Sequence, residues 1–183
     1  MGCLIASRPA GDGRGFTLIE LLIVVGLIAT IAAVSFPGLV RARVSALESA
    51  AMGSMRAVNS AQSTYSASCG RGGYAQTLAD LQKPAAGSGL LFISPDVPAN
   101  GVIKSGYIMN LSADTGAAIV ALSANTCNLA TLDAVSLYFV ESHPAATGLS
   151  GQRSFASDTR AALYWNGAGT TIAPGMAGAK PLQ

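Results

Sequence analysis

The stretch FTLIELLIVVGLIATIAAV, from Phe16 to Val34, decides how the rest of the chain is read. Glu20 is its one charge, and from there to Arg41 twenty consecutive residues carry none. At about 1.5 Å rise per residue, a helix of that length spans roughly 30 Å, the hydrocarbon thickness of a bilayer. Arg8 and Arg14 stand before the run, so the positive-inside rule predicts a cytoplasmic N-terminus and an exported C-terminal part. A secretory signal would be cut after its apolar core and would lose that core on processing. Here the Arg14-Gly15 punctuation precedes the core instead. Glu20 is the anomaly: a charge within a membrane helix costs roughly 2.5 to 3.5 kcal/mol on insertion scales, so it marks function and needs a partner.

Upstream, MGCLIASRPAGDGRG carries Pro9, two arginines and three glycines in its last five positions, which favours neither helix nor strand. From the last of those glycines onward, GFTLIELLIVVGLIATIAAVSFPGL resembles the processing and methylation signature of type IV prepilins and of the pseudopilins of type II secretion systems. The likeness joins Gly15, Phe16, Glu20, an uncharged run and Pro37 at the family's spacings. It implies that residues 1–15 are a leader, cut between Gly15 and Phe16 by a prepilin peptidase that then methylates the new amino group of Phe16. It also implies assembly at an inner-membrane platform into a homo-oligomeric filament with other pilins. The expected localisation is the bacterial inner membrane, single-pass, with the helix in lipid before assembly and the head exported, then a pilus or a periplasmic pseudopilus.

In such a filament, the carboxylate of Glu20 pairs with the Phe16 amine of a neighbouring subunit, which stabilises two charges that are each expensive in apolar surroundings. The other reading of Glu20 is a carboxylate that snorkels to the interface near the helix start. Loss of the leader leaves nine basic and eight acidic side chains, so the subunit is nearly neutral, which permits self-association.

After Pro37 and Gly38 the pattern becomes one-sided: Val40, Val44, Leu47, Ala51, Met55, Val58, Gln62 and Tyr65 recur at steps of three or four, with Arg41, Arg43, Glu48 and Arg56 between them. That predicts an amphipathic continuation of the helix to about Ser66, its apolar stripe packed on a C-terminal head. Pro37 either kinks one helix or ends one and starts another.

From Cys69 the texture turns to Gly, Pro, Ser and short apolar runs, the mark of strands and loops. Strands are predicted over 106–111, 118–122, 135–140, 153–156 and 161–165, with hairpin signals at 113–116 and 157–160. GRGGYAQTLADLQ resembles the connecting segment of the main pseudopilin, with a short helical turn at Leu78 to Leu81. TGLSGQRSFASDTRAALYWN resembles the family's terminal hairpin through Gly151 to Phe155 and Asp158, whereas LSANTCNLATLD, from Leu122, looks inserted.

The fold class expected is α+β, a long N-terminal membrane-spanning helix packed at its C-terminal half on a small antiparallel head. The segments are the leader 1–15, the membrane and filament-core half 16–36, the amphipathic half 37–68, the head 69–169 and a flexible tail 170–183.

Composition narrows the function. Only 11% of residues are Asp, Glu, Lys or Arg, against about 25% in ordinary soluble domains. The eleven basic residues are dispersed, so no nucleic-acid footprint is seen. Cys3, Cys69 and Cys127 lack metal-ligand spacing, and no metal is expected. With Cys3 removed in the leader, Cys69 and Cys127 remain as an even pair. That suits a disulfide worth about 4 kcal/mol in an oxidising compartment, or else two separate buried thiols. Some secretion pseudopilins bind calcium near the terminal hairpin and Asp158 has the oxygen for it, but a lone Asp there reads first as a turn former. His143 is the only histidine, read as a surface loop residue. The GSG at 87–89 lacks the context of a phosphate loop. No nucleophile and base set is assigned, so the expectation is a structural protein without a cofactor rather than an enzyme; the reading from another class is a membrane-anchored enzyme or binding module with a prepilin-like anchor.

Overall fold

The computed structural model describes residues 15–182; residues 1–14, with Cys3, Arg8 and Arg14, lie outside the described residues. One long helix, α1 (Leu18–Ser68), is followed by a short α2 (Leu78–Gln82). Eight strands come next: β1 (Ile103–Lys104), β2 (Tyr107–Ala113), β3 (Ile119–Ala121), β4 (Ala134–Val135), β5 (Tyr138–Pro144), β6 (Ser154–Asp158), β7 (Leu163–Asn166) and β8 (Lys180–Pro181). This is the expected α+β arrangement of a long apolar N-terminal helix followed by an antiparallel sheet. The chain divides into two units, one ending at Val40 and one beginning at Arg41.

In the first unit every described side chain is exposed, including Phe16, Leu18, Ile23, Ile28 and Val34. A helix apolar on all sides is the composition of a membrane span or of a segment covered by other chains. α1 is continuous through Pro37, which has no N–H to give the carbonyl of Ala33.

In the second unit the strands lie in the order β1-β2-β5-β6-β7-β8, all antiparallel, while β3 and β4 form a separate pair. Tyr107, Met109 and Leu111 alternate inward on β2, and Val140 and Phe155 continue that layer. They share one core with Ala51, Met55, Val58 and Tyr65 of α1. Two polar side chains of α1 are paired in this layer, whereas Tyr65 Oη and Ser142 Oγ are buried without a partner among the described residues: Asn59 donates to Ser157 Oγ at 2.9 Å and accepts from Tyr138 Oη at 3.1 Å. Gln62, fully buried, donates to the carbonyl of Ala75 and accepts from its N–H at 2.7 and 2.9 Å.

The sheet's other face is covered too. Phe139 and Ala156 point there, against Ile172, Met176 and Ala179. Residues 170–182, expected as a flexible tail, therefore pack on the head: Ile172 is buried, β8 pairs with β7, and Leu182 N–H donates to the carbonyl of Leu163 at 2.8 Å. Burial on both faces explains why β6 is buried at every position instead of alternating.

Three further expectations change. The predicted strand 135–140 is two strands, because the chain leaves β4 at Val135 and enters the main sheet at Tyr138. The turn at 113–116 closes no hairpin: β2 pairs with β5, and β3 pairs with β4. His143 lies in β5 rather than in a loop, with Nδ1 3.0 Å from Oε2 of Glu141.

The segment 122–133 is tied down at several points. Cys69 and Cys127 form a disulfide with 4.7 Å between Cα atoms. Asp80, with no exposed surface, accepts from the N–H of Thr131 at 2.5 Å, and Lys83 Nζ donates to Thr131 Oγ1 at 2.8 Å. Asn128 donates to the carbonyl of Asp80 at 2.7 Å.

Candidate functional site

The residues with a predicted role at the N-terminus fall at the boundary between irregular chain and helix. Gly15, Phe16 and Thr17 precede the first helical residue, and no heavy atom lies within 4 Å of where a Cβ would stand on Gly15. Phe16 is 79% exposed. The Gly15–Phe16 peptide is thus in accessible, non-helical backbone, the form in which a protease can bind it.

Thr17 caps the helix. Its Oγ1 accepts from the N–H of Glu20 at 3.3 Å, its carbonyl accepts from the N–H of Leu21 at 3.2 Å, and the hydroxyl stands 3.5 Å from Glu20 Oε2. Thr17 and Glu20 are spaced as in a capping box, and the carboxylate lies where the helix dipole is positive. Sequence reasoning passed over Thr17, although the T-x-x-E spacing was the available signal. Glu20 is exposed and has no cationic partner among the described residues.

A second constellation supports the head. Glu48, only 5% exposed, accepts from the N–H of Gln152 at 3.0 Å and of Arg153 at 3.2 Å through Oε1. Its Oε2 accepts from Nε and Nη2 of Arg153 at 2.9 and 2.6 Å. Burial alone would push the Glu48 carboxyl up, but the Gln152 N–H and the Arg153 guanidinium outweigh it and hold the group below the ordinary carboxylate range. The guanidinium also lies over the rings of Phe155 and Trp165, at 5.9 and 5.7 Å from their centroids. In the sequence Glu48 reads as one of the charges between apolar positions. Its spacing, four after Val44 and three before Ala51, places it on the apolar stripe and is the overlooked signal.

At the terminal hairpin, Asp158 is buried and its carboxylate holds Arg160, with Oδ1 accepting from the backbone N–H at 2.9 Å and Oδ2 from Nε at 2.7 Å. The oxygens considered for calcium thus stabilise the β6–β7 turn. Among the described residues, no three His, Cys, Asp or Glu side chains converge in a way that could hold a metal ion.

α1 is long and apolar enough to cross a membrane, by length and composition. No curated protein and no solved structure matches the chain. Residues 13–36 match the family model described as the prokaryotic N-terminal methylation motif. Gly15, Phe16, Thr17, Glu20 and the first part of the apolar helix all fall within that match, so the chain carries the N-terminal signature of type IV prepilins and pseudopilins.

Proposed function

We propose that this protein is the precursor of a structural subunit of a type IV pilus-like filament, cut by prepilin peptidase between Gly15 and Phe16 and methylated on Phe16. The observation that carries the reading is the methylation motif at 13–36, joined to a helix whose side chains are exposed on every side up to Val40. That apolar surface needs lipid before assembly and neighbouring copies after it. The chain's part is then mechanical rather than catalytic. Its partners are other pilins and the inner-membrane assembly platform, with the N-terminus cytoplasmic and the head exported.

In the assembled state, Glu20 pairs with the Phe16 amine of the next subunit. Breaking a buried pair by removing one partner costs about 3 to 5 kcal/mol, which blocks assembly without blocking insertion or processing. The type II secretion pseudopilin is the second reading. It rests on the terminal hairpin, where Gln152 and Arg153 of the GQRSF segment hold Glu48 of α1.

Mass spectrometry of the protein recovered from membranes tests the first step. The expected product begins with N-methylated Phe16; one that begins at Met1, or after residue 35, would refute the reading. Glu20→Ala tests the second step, with normal processing expected and loss of subunit-to-subunit cross-linking. Unimpaired filament incorporation would count against the pairing. Co-purification with a secretion channel rather than with pilus machinery would favour the second reading.

A further inference from the structure

The one tryptophan of the chain sits at a place that the filament reading does not use. Trp165 on β7 is directly opposite Phe155 on one side and Lys180 on the other, so the three side chains stand in a row on one face of the sheet. Two open depressions lie beside Trp165, with volumes of about 360 and 490 Å³. The first is bounded by Asn166 and Lys180, the second by Arg153, Lys180 and Pro181.

The polar side-chain groups offered there are mainly donors. Lys180 has no acidic partner among the described residues. Arg153 uses Nε and Nη2 on Glu48 and retains Nη1, with its side chain 40% exposed. The oxygen of Asn166 is taken by the N–H of Ala168 at 2.8 Å, which leaves its amide N–H groups to point elsewhere. Among the described residues, no carboxylate lines either depression. A ligand that satisfies these groups carries negative charge and several oxygens. To use the indole, it must also have a ring face with C–H groups.

The geometry points to a binding site for an acidic saccharide, a uronate, with the sugar ring on Trp165 and its carboxylate on Lys180 and Arg153. An acidic peptide fits less well. β8 is the edge strand of the sheet, and a peptide added there would draw on its backbone donors, whereas Pro181 has none to give. This assignment stands independently of which filament the subunit joins.

The fluorescence of Trp165 reports on this site alone. The full chain, processed and held in detergent, is titrated with trigalacturonate, with a neutral trisaccharide and with a hexaglutamate peptide. A saturable change with trigalacturonate is expected, weakened at least tenfold in Lys180→Ala, with no response to the neutral sugar. Lys180 is exposed, so the variant keeps its fold, which its melting temperature verifies. Absence of a saturable change, or equal affinity in Lys180→Ala, would overturn the assignment. A tighter response to hexaglutamate would overturn it in favour of an acidic polypeptide.

Discussion

Glu48 of α1 and Arg153, just before β6, are joined by two guanidinium hydrogen bonds to one carboxylate oxygen, at 2.9 and 2.6 Å, across 105 residues of chain. The other oxygen takes two backbone N–H groups. One side chain therefore satisfies four donors at the junction of helix and hairpin. Glu48→Ala leaves a guanidinium and two amides without that acceptor. The expected loss is about 3 kcal/mol, at the low end for a buried pair because Arg153 is partly exposed. Chemical denaturation of the wild type and variant measures it; a difference under about 1 kcal/mol would show that the clamp is dispensable.

The same carboxylate sets a pH dependence. Its pKa is lowered in the folded head, so its contribution is complete above the unfolded-state value of about 4.3 and is lost as pH falls through the lower folded-state value. Melting temperatures between pH 6 and pH 3 should fall more steeply for the wild type than for Glu48→Gln. Parallel curves would contradict the assignment.

The Cys69–Cys127 bridge closes a separation of 58 residues and anchors the segment 122–133 beside α2. Cys69→Ser with Cys127→Ser should cost about 2 to 4 kcal/mol. Reductant should destabilise the wild type by the same amount and leave the double variant unmoved. Equal sensitivity of both proteins to reductant would argue against the bridge.

Gly151 admits no side chain. A Cβ there would meet the ring of Tyr107, with Cζ at 2.6 Å and Cε2 at 2.8 Å, and Tyr107 is itself fixed by donating to the carbonyl of Arg153 at 2.9 Å. Gly151→Ala should destabilise the head by roughly 1 to 3 kcal/mol through overpacking. Gly53→Ala, at an open position on α1, should not; thermal melts of the two variants make the comparison.

Ile172 is buried against the outer face of the sheet with Phe139 and Ala156. Ile172→Ala should cost about 2 to 4 kcal/mol and expose the Leu182 amide, which donates to Leu163, to hydrogen exchange. Exchange at the Leu182 amide as fast in the wild type as in an unfolded peptide would mean that 170–182 does not hold the sheet.

The helical half of the molecule was legible because its information is local. A run without charge and a three-four repeat from Val44 to Tyr65 each state a conformation without reference to distant residues. The hairpin at 157–160 was legible for the same reason. What escaped notice depends on pairing across the chain. Glu48 looks like a surface charge until Arg153 stands beside it, and His143 looks like a loop residue until β5 is flanked by β2 and β6. The segment 170–182, short in charge and rich in Gly, Ala and Pro, has no periodicity of its own. Only the presence of Phe139 and Ala156 beneath Ile172 gives it a place.

The clamp between Glu48 and Arg153 also has a cost in time. At synthesis rates of about 5 to 20 residues per second, the 105 residues between them take roughly 5 to 20 s to be made. Through that interval the face of α1 from Ala51 to Tyr65 has emerged but lacks the strands that cover it. Until the last third of the sequence arrives, that face lacks Val140 and Phe155, which complete its burial in the folded head.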